Sequence, residues 1–461
     1  MTSGEATREV PDSFPELAWS RAPLSDRLIW LRGFRLRLFD ATDHFCDLIG
    51  EEVGKPEHEV VTGDLLPLLA SCRWHERYAR RLLRPRRPLG QPIWMLGQRH
   101  RVVRQPLGHV GIIATWNYPV QLLGIQLVQA LIAGNRVTVK PSERSPRTQA
   151  LLLELAAQGL PEGTLQALPA TREAGEQMLE RFRFDHVVFT GSTEVGRAIA
   201  RKLAGTLTPS TLELSGRDSV FVLDDADVEL AAERIWNLVE MNSGQTCMAP
   251  RRVLAHSSIF DPLSEALRAG ASASPRTLID ERASGRVREL AVAAQRAGAE
   301  VIPSFRENDP SHSEARIVIG ADPDAAVVAG DHFGPLCAVV RCETEDEMLR
   351  VHHGCTQHLA TSVFTASRSR FESLAGRIAG STVIHNDVVL PTAHPGVPIQ
   401  GHEDSGWGAS RGEPGLLAMT RSIHLASVPK RLRAPAGIPP PNQLAQLRKG
   451  LKWLYGRGRR P

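Results

Sequence analysis

Cys247 closes the run Asn242-Ser243-Gly244-Gln245-Thr246-Cys247. Small and amide residues ahead of a thiol let backbone N–H groups gather around it. A helix N-terminus at that point would lower the thiol pKa and favour the nucleophilic thiolate. On this run alone a buried structural cysteine is the plainer reading. Leu212-Glu213-Leu214 sets a carboxylate among apolar neighbours. Taken singly, Glu213 reads as an ordinary strand-end glutamate.

Other runs change that balance. Thr115-Trp116-Asn117-Tyr118-Pro119 follows an apolar strand, at the edge where open α/β sheets bind ligands. Val139-Lys140-Pro141-Ser142-Glu143 follows the next strand. Phe189-Thr190-Gly191-Ser192-Thr193-Glu194-Val195-Gly196 follows a third and opens a helix, and Asp331-His332-Phe333-Gly334-Pro335 comes later.

Together these runs resemble the aldehyde dehydrogenase superfamily, from about Leu24 to Val428. The stretch Asn-Ser-Gly-Gln-Thr-Cys-Met-Ala-Pro and the total length are most similar to its shorter class 3-like branch. Glu213 precedes Cys247 by 34 residues, the separation usual in that family. Each run is weak alone; five in order at this spacing are specific.

The resemblance implies roles. Cys247 attacks the aldehyde carbonyl, and the Asn117 side-chain amide with the Cys247 backbone N–H holds the developing oxyanion. Losing one such donor typically costs about 3 kcal/mol of transition-state stabilisation. Hydride leaves for a nicotinamide, giving a thioester. Glu213 activates the water that hydrolyses it, its pKa raised by desolvation among leucines. NAD is the implied cofactor, with NADP as the variant.

No G-x-G-x-x-G occurs in the chain. Gly191, Ser192 and Gly196 form a glycine turn at a helix start whose free N–H groups suit a pyrophosphate; a plain helix cap has the same pattern. Lys140 and Glu143 bracket the adenosine ribose. Asp331 stands where the family carries glutamate against the nicotinamide ribose, and Phe333 packs beside the ring. Trp116, Tyr118 and Trp407 give an apolar substrate mouth.

Three departures bear on the site. Glu-Leu-Gly-Gly-Lys of the family reads Glu213-Leu214-Ser215-Gly216-Arg217 here, so Ser215 puts a side chain where glycine lets the peptide lie close to the base. Pro-Phe-Gly-Gly reads Pro398-Ile399-Gln400-Gly401. Asp404-Ser405-Gly406 replaces Glu-Ser-Gly. These changes reshape the substrate mouth while keeping the chemistry.

The elements that position these residues are legible in outline. Residues 24–84 carry a helical pattern, closed by Pro85 and Pro88. Ile93–Gln105 reads as an extended, exposed ribbon. From His109 the chain alternates: strands at His109–Thr115, Arg136–Val139, Leu165–Leu168 and His186–Phe189 are separated by helices, the pattern of a parallel sheet covered on both faces. Thr211–Leu214 and Ser219–Val222 are further strands. A second alternating block spans about Ala231–His385, and Gly396–Gly415 reads as an irregular loop packed over a site.

The expected fold is therefore α/β: two open, mostly parallel domains with a small bridging sheet. Residues 1–92 and 106–214 form a discontinuous cofactor domain, and 215–421 a catalytic domain. By resemblance, 93–105 with 422–432 form the bridging segment, which joins subunits into a homodimer. Residues 433–461 are a basic tail.

Composition sets the outer bounds. The 461 residues are 42% hydrophobic and 23% charged, which fits a globular chain and excludes collagen, coiled-coil and disulfide-scaffold classes. The net charge of +4 is too small for a polyanion binder as a whole. Yet Lys430–Pro461 holds nine Lys/Arg and no acid, leaving −5 on the rest. Seven arginines between Arg73 and Arg87 read as a solvated helix end, because nucleic-acid recognition modules are missing.

Six scattered cysteines and an acidic N-terminus without an apolar run point to a reducing cytoplasm and no signal peptide. The apolar window Leu107–Gly134 holds Asn117 and three glutamines, which favours a buried strand–loop–helix over a membrane span. Cys337, Cys342, His352, His353, Cys355 and His358 lack the tight ligand pairs zinc needs, so no metal is expected.

In the tail, Leu444, Leu447, Leu451 and Leu454 share one helical stripe, with Arg448, Lys449 and Lys452 off it. That pattern suits a helix on an anionic membrane, but one docked on its own protein or a solvated tail is the plainer reading. Two other functions stay open: an acylating enzyme that passes the thioester to coenzyme A, and a non-catalytic binding or structural protein that keeps the fold. Glu213 speaks against the first, and the intact set of Cys247, Glu213 and Asn117 against the second.

Overall fold

The computed structural model describes residues 18–271, 277–304, 314–430 and 440–456. The chain divides into two compact units, Met1–Leu83 with Gln105–Arg421, and Arg84–Arg104 with Ser422–Pro461.

The first unit contains two large sheets. One has six strands in the order Gly406–Trp407, Ser210–Glu213, His186–Thr190, His109–Ile113, Arg136–Lys140, Leu165–Ala167. All neighbours run parallel except Gly406–Trp407, which is antiparallel to Ser210–Glu213. Strand order reverses beside His109–Ile113: the next strands in sequence lie on one side and the later ones on the other. A reversal of this kind leaves a crevice beyond the carboxyl ends of the two strands at the switch. The Thr115–Pro119 and Thr190–Ser192 segments leave the sheet there.

Alternate strand residues feed opposite faces, as the two-residue period of a strand requires. Val110, Ile112, Val137, Val139 and Val188 pack on one core with helices Leu24–Asp40, Thr42–Val53, Leu66–Leu83 and Gln121–Ala133. Ile113, Val187, Phe189 and Leu212 pack on the other, against Met178, Ile199 and Leu203 from two further helices. The helix Gln121–Ala133 is buried along its whole length. Its Gln126 bonds Thr190 and its Gln129 bonds the Gly412 carbonyl.

The second sheet has seven strands, ordered Thr382–His385, Ala360–Phe364, Asp218–Val222, Pro250–His256, Leu336–Cys342, Arg316–Ile319, Glu300–Ile302, parallel except for the last. It too has two apolar faces, with Val220 and Val222 on one and Phe221 and Leu223 on the other. The α/β class with mostly parallel sheets is thus as the strand–helix alternation predicts.

Some elements differ from the sequence reading. The first helical region is four helices, Leu24–Asp40, Thr42–Val53, Glu57–Glu59 and Leu66–Leu83, the last two joined through a π-helical segment, Val60–Leu65, rather than an even run. The stretch read as a loop over the site contains short strands at His402–Glu403 and Gly406–Trp407 and a helix at Gly412–Ala418. Glycine content hid them, because strands of two residues carry no measurable periodicity.

The second unit is built on a two-stranded sheet of Arg99–Pro106 and Thr420–Ser427. The expected ribbon begins late: Ile93–Met95 is a 3-10 turn after Pro92. The tail forms the helix Pro441–Tyr455, and the Trp94 indole donates to the Tyr455 hydroxyl at 3.0 Å. Residues 431–439 and 457–461, parts of the expected bridging segment and tail, lie outside the described residues. Among the described residues no helix is long and apolar enough to cross a membrane.

Candidate active site

A cavity of about 750 Å³ in the first unit gathers Cys247, Glu213 and Asn117, which are scattered over the sequence. Trp116, Tyr118, Phe333, Asp331, Gly191 and Ser192 also line it. Asn117 comes from the loop after His109–Ile113. Glu213 ends its strand, and Cys247 lies in a turn between the 3-10 segment Met241–Gly244 and strand Pro250–His256.

The Asn117 side chain is oriented from both ends. Its Nδ2 donates to the Gln245 carbonyl at 3.1 Å, and its Oδ1 accepts from Thr115 Oγ1 at 3.1 Å. One Nδ2 hydrogen remains for a ligand. The Asn117 carbonyl accepts from Lys55 Nζ at 2.8 Å and from Asn242 Nδ2 at 3.0 Å. Lys55 also pairs with buried Asp64, whose second oxygen accepts from the Val120 and Gln121 N–H groups. Lys55 lies over the Tyr118 ring, and the Tyr118 hydroxyl bonds Thr246 at 2.8 Å. Neither Lys55 nor Asp64 stands out in sequence, since a helical region of mixed charge offers no signal for a buried pair.

No helix N-terminus supports Cys247, contrary to the sequence reading. Asn242, Ser243 and Gly244 instead adopt consecutive left-handed conformations, with φ of 51°, 54° and 67°. A Cβ on Gly244 would lie 2.4 Å from the Gly334 backbone, so only glycine admits that approach. Arg251, fully buried, fastens the contact. It donates to the carbonyls of Gly244 and Gly334 at 3.0 Å each and to Thr246 at 3.1 Å.

The resting thiol is correspondingly not activated. Burial pushes the Cys247 pKa up to about 12, and the charges of Glu213 and Asp218 act the same way; Arg411 opposes them. Burial likewise raises the Glu213 pKa, against a hydrogen bond from Ser410 and the charge of Arg411. Glu213 Oε1 has no hydrogen-bond partner among the described residues. Arg411, another cavity-lining residue missed in sequence, is buried at φ 63° and donates to the Thr392 carbonyl at 2.9 Å. A lone arginine among glycines between Gly408 and Gly412 was the available signal.

Ser215 is half-buried in the cavity wall, and its carbonyl accepts from Ser405 Oγ at 2.8 Å. The residue that must lack a side chain is Gly216, where a Cβ would stand 2.5 Å from the Cys247 carbonyl oxygen.

The residues read as cofactor-binding divide. Gly191 lines the cavity, donates its N–H to the Glu213 carbonyl at 3.0 Å, and leaves no room for a Cβ beside Phe189. Ser192 caps helix Thr193–Ala204 and accepts from the Val195 N–H. Gly196 is away from the cavity lining; a Cβ there would meet Leu214 at 2.4 Å, so this glycine lets the helix lie on its strand. Lys140 and Glu143 pair at 2.5 Å where strand Arg136–Lys140 ends, also outside the cavity wall. Burial opposes the Glu143 charge, but Lys140 and the backbone hold its pKa below the ordinary value. Phe333 meets Trp116 edge-on with ring centres 5.9 Å apart. Asp331 is exposed, and its carbonyl accepts from Arg286.

Trp407 does not line the cavity. Its register opposite Leu212, one residue past the Gly406–Glu213 pair, turns it outward, and its indole donates to Ser210 Oγ at 3.1 Å. Among the described residues no three His, Cys, Asp or Glu side chains are grouped to hold a metal.

A thiol, a desolvated carboxyl and an oriented amide in one cavity beside a switch-point crevice define a site for nucleophilic attack on a carbonyl. Comparison with known proteins agrees. The sequence profile of the Aldehyde dehydrogenase family matches residues 4–424. A “Probable coniferyl aldehyde dehydrogenase” of Pseudomonas aeruginosa is 31% identical over 92% of this chain and 91% of its own length. Aldehyde dehydrogenase family 3 member A2 of Rattus norvegicus is 30% identical over 85% and 82%. A crystal structure of Mycobacterium tuberculosis aldehyde dehydrogenase complexed with NAD+ superposes with a TM-score of 0.82, at 27% identity over 88% and 86%. The chain belongs to the aldehyde dehydrogenase family, with the length and relatives of its class 3-like branch. It is an oxidoreductase acting on aldehydes.

Proposed function

We propose that the chain oxidises an apolar aldehyde to its carboxylic acid with NAD(P), through a thioester on Cys247 that water hydrolyses. The observation that carries this reading is the convergence of Cys247, Glu213 and Asn117 on one cavity. The switch-point crevice and the side-chain-free Gly191 turn fit a dinucleotide; Lys140, Glu143, Gly191, Ser192, Asp331 and Phe333 are the residues assigned to it. When bound, it supplies the hydride acceptor.

Attack by the Cys247 sulfur on the carbonyl carbon forms the C–S bond and an oxyanion. The free Nδ2 hydrogen of Asn117 and the Cys247 N–H stabilise that oxygen. A thiol near 12 has to lose its proton to a base, and Glu213, with a raised pKa, is a buried carboxyl that lines the same cavity. Loss of hydride from the thiohemiacetal carbon leaves the thioester. Glu213, after releasing the thiol proton to solvent, takes a proton from water as the water attacks the thioester carbon. Collapse of that adduct breaks the C–S bond, frees the carboxylic acid and returns the Cys247 sulfur, which is reprotonated from Glu213.

Leu122, Met241, Val389, Leu390 and Ile399 in the wall favour an aromatic or extended apolar tail on the substrate. A cofactor domain of residues 1–92 and 106–214 and a catalytic domain of 215–421 fit the two sheets, although Gly406–Trp407 joins the first and residues 84–92 fall in the second unit. A homodimer through 93–105 with 422–432, and a cytoplasmic setting, complete the reading.

The test is an aromatic and chain-length aldehyde panel with NAD and NADP, with coenzyme A present or absent. Carboxylic acid in both arms supports hydrolysis. Acyl-coenzyme A would establish acyl transfer, and the absence of any burst of reduced cofactor would point to a binding protein.

A further inference from the structure

The charge of this chain is segregated by structural unit. Residues 84–104 and 422–461 contain fifteen Lys/Arg and no Asp or Glu, leaving the rest of the chain at −11. The asymmetry therefore extends beyond the tail to the whole second unit.

The same unit exposes its large apolar side chains. In the turn region Leu89, Ile93, Trp94 and Leu96 are exposed, Trp94 at 61%. On the helix Pro441–Tyr455 no residue is buried, and Leu447 and Leu451 are 61% and 65% exposed. Leu444, Leu447, Leu451 and Tyr455 fall along one stripe, flanked by Arg448 and Lys452. The Trp94–Tyr455 hydrogen bond ties the helix end to the Ile93–Met95 turn, so the two apolar groups adjoin.

We propose that this second unit docks on an anionic lipid bilayer through its Pro441–Tyr455 helix, with the Leu447/Leu451 stripe entering the headgroup boundary and the surrounding Lys/Arg meeting lipid phosphates. Positive charge alone would fit any polyanion. Exposed aliphatic side chains between the cations have no use on a phosphate backbone, but in a bilayer they add apolar burial to electrostatic attraction. Tryptophan and tyrosine hold the same boundary position, with an apolar ring and a polar edge. Lysines within two turns of the leucine stripe are depleted at protein–protein interface cores, which disfavours a second copy as the occupant of this face.

The test is flotation of full-length protein with vesicles of phosphatidylcholine alone or mixed with phosphatidylserine, at low and high salt. Binding is expected only to the phosphatidylserine vesicles and weakens with salt. Lys449→Gln with Lys452→Gln should lower the partition coefficient roughly thirtyfold, and Leu447→Ser with Leu451→Ser should lose flotation. Aldehyde oxidation in solution and mass by light scattering should match the unaltered protein in both. Three results would each overturn the proposal: no flotation by the full chain, a change of mass in the leucine variant (a second copy on this face), or vesicle binding indifferent to both pairs. Displacement by single-stranded RNA that the leucine variant binds equally well would assign the unit to nucleic acid instead.

Discussion

Lys55 Nζ stands 2.6 Å from the Asp64 carboxylate, with both side chains fully buried. The pair reaches the site without touching a reacting atom. Lys55 holds the Asn117 carbonyl, while Asp64 holds the N–H groups of Val120 and Gln121 just beyond. The loop that presents the Asn117 amide is thus fixed by a buried ion pair.

Lys55→Met leaves the Asp64 charge buried and alone. Loss of about 3–5 kcal/mol of stability is expected, together with a fall in kcat from the disordered oxyanion donor. Denaturant midpoints and steady-state rates measure the two effects. An unchanged midpoint would show that the pair carries no such role.

Cys247→Ala should abolish turnover while cofactor affinity, read by fluorescence titration, stays near that of the parent. Substituting any of the other five cysteines should not abolish it. With the resting thiol near 12, iodoacetamide alkylation of the cofactor-free protein should climb about tenfold per pH unit through the neutral range. A plateau near pH 7 would contradict the half-buried, unactivated thiol.

Glu213→Gln keeps the side-chain shape but removes the base. About one equivalent of reduced cofactor per site should appear, slowly if Glu213 also takes the thiol proton, and turnover should then stall. Because burial raises the Glu213 pKa, deacylation in the unaltered enzyme should be lost as pH falls, at a pH above that of a free carboxylate. Ser215→Gly should speed deacylation and leave the burst rate alone if the serine crowds the base. Normal steady-state turnover by Glu213→Gln would end the hydrolytic assignment.

Glu143 bonded to Lys140 should favour NAD, since a carboxylate repels a 2′-phosphate and Lys140 is already engaged. Glu143→Gln should raise kcat/KM for NADP relative to NAD. An unchanged ratio would place Glu143 away from the adenosine ribose.

The sequence made the chemistry legible where residue type and chain order coincide. The strand–helix alternation from His109 onward put Asn117 in the loop after one strand and Glu213 on another, as the structure has them. It could not reveal side chains whose importance is purely spatial. Arg251 follows Pro250 as an unremarkable strand residue and becomes a fastening only when Gly334 arrives from another strand's approach. Trp407 misled because composition alone set an aromatic near a glycine-rich mouth, whereas a one-residue register decides which face it takes. At Gly196 the pattern did not show that the glycine is also needed for packing against Leu214.

One guanidinium nitrogen of Arg251 bonds both the Gly244 and Gly334 carbonyls. The turn that carries the nucleophile and the loop that carries Asp331 and Phe333 therefore share a single rivet. Neither can swing without pulling that rivet, so reach of the sulfur and grip on the dinucleotide are geared together, and a substitution meant to loosen one will retune the other.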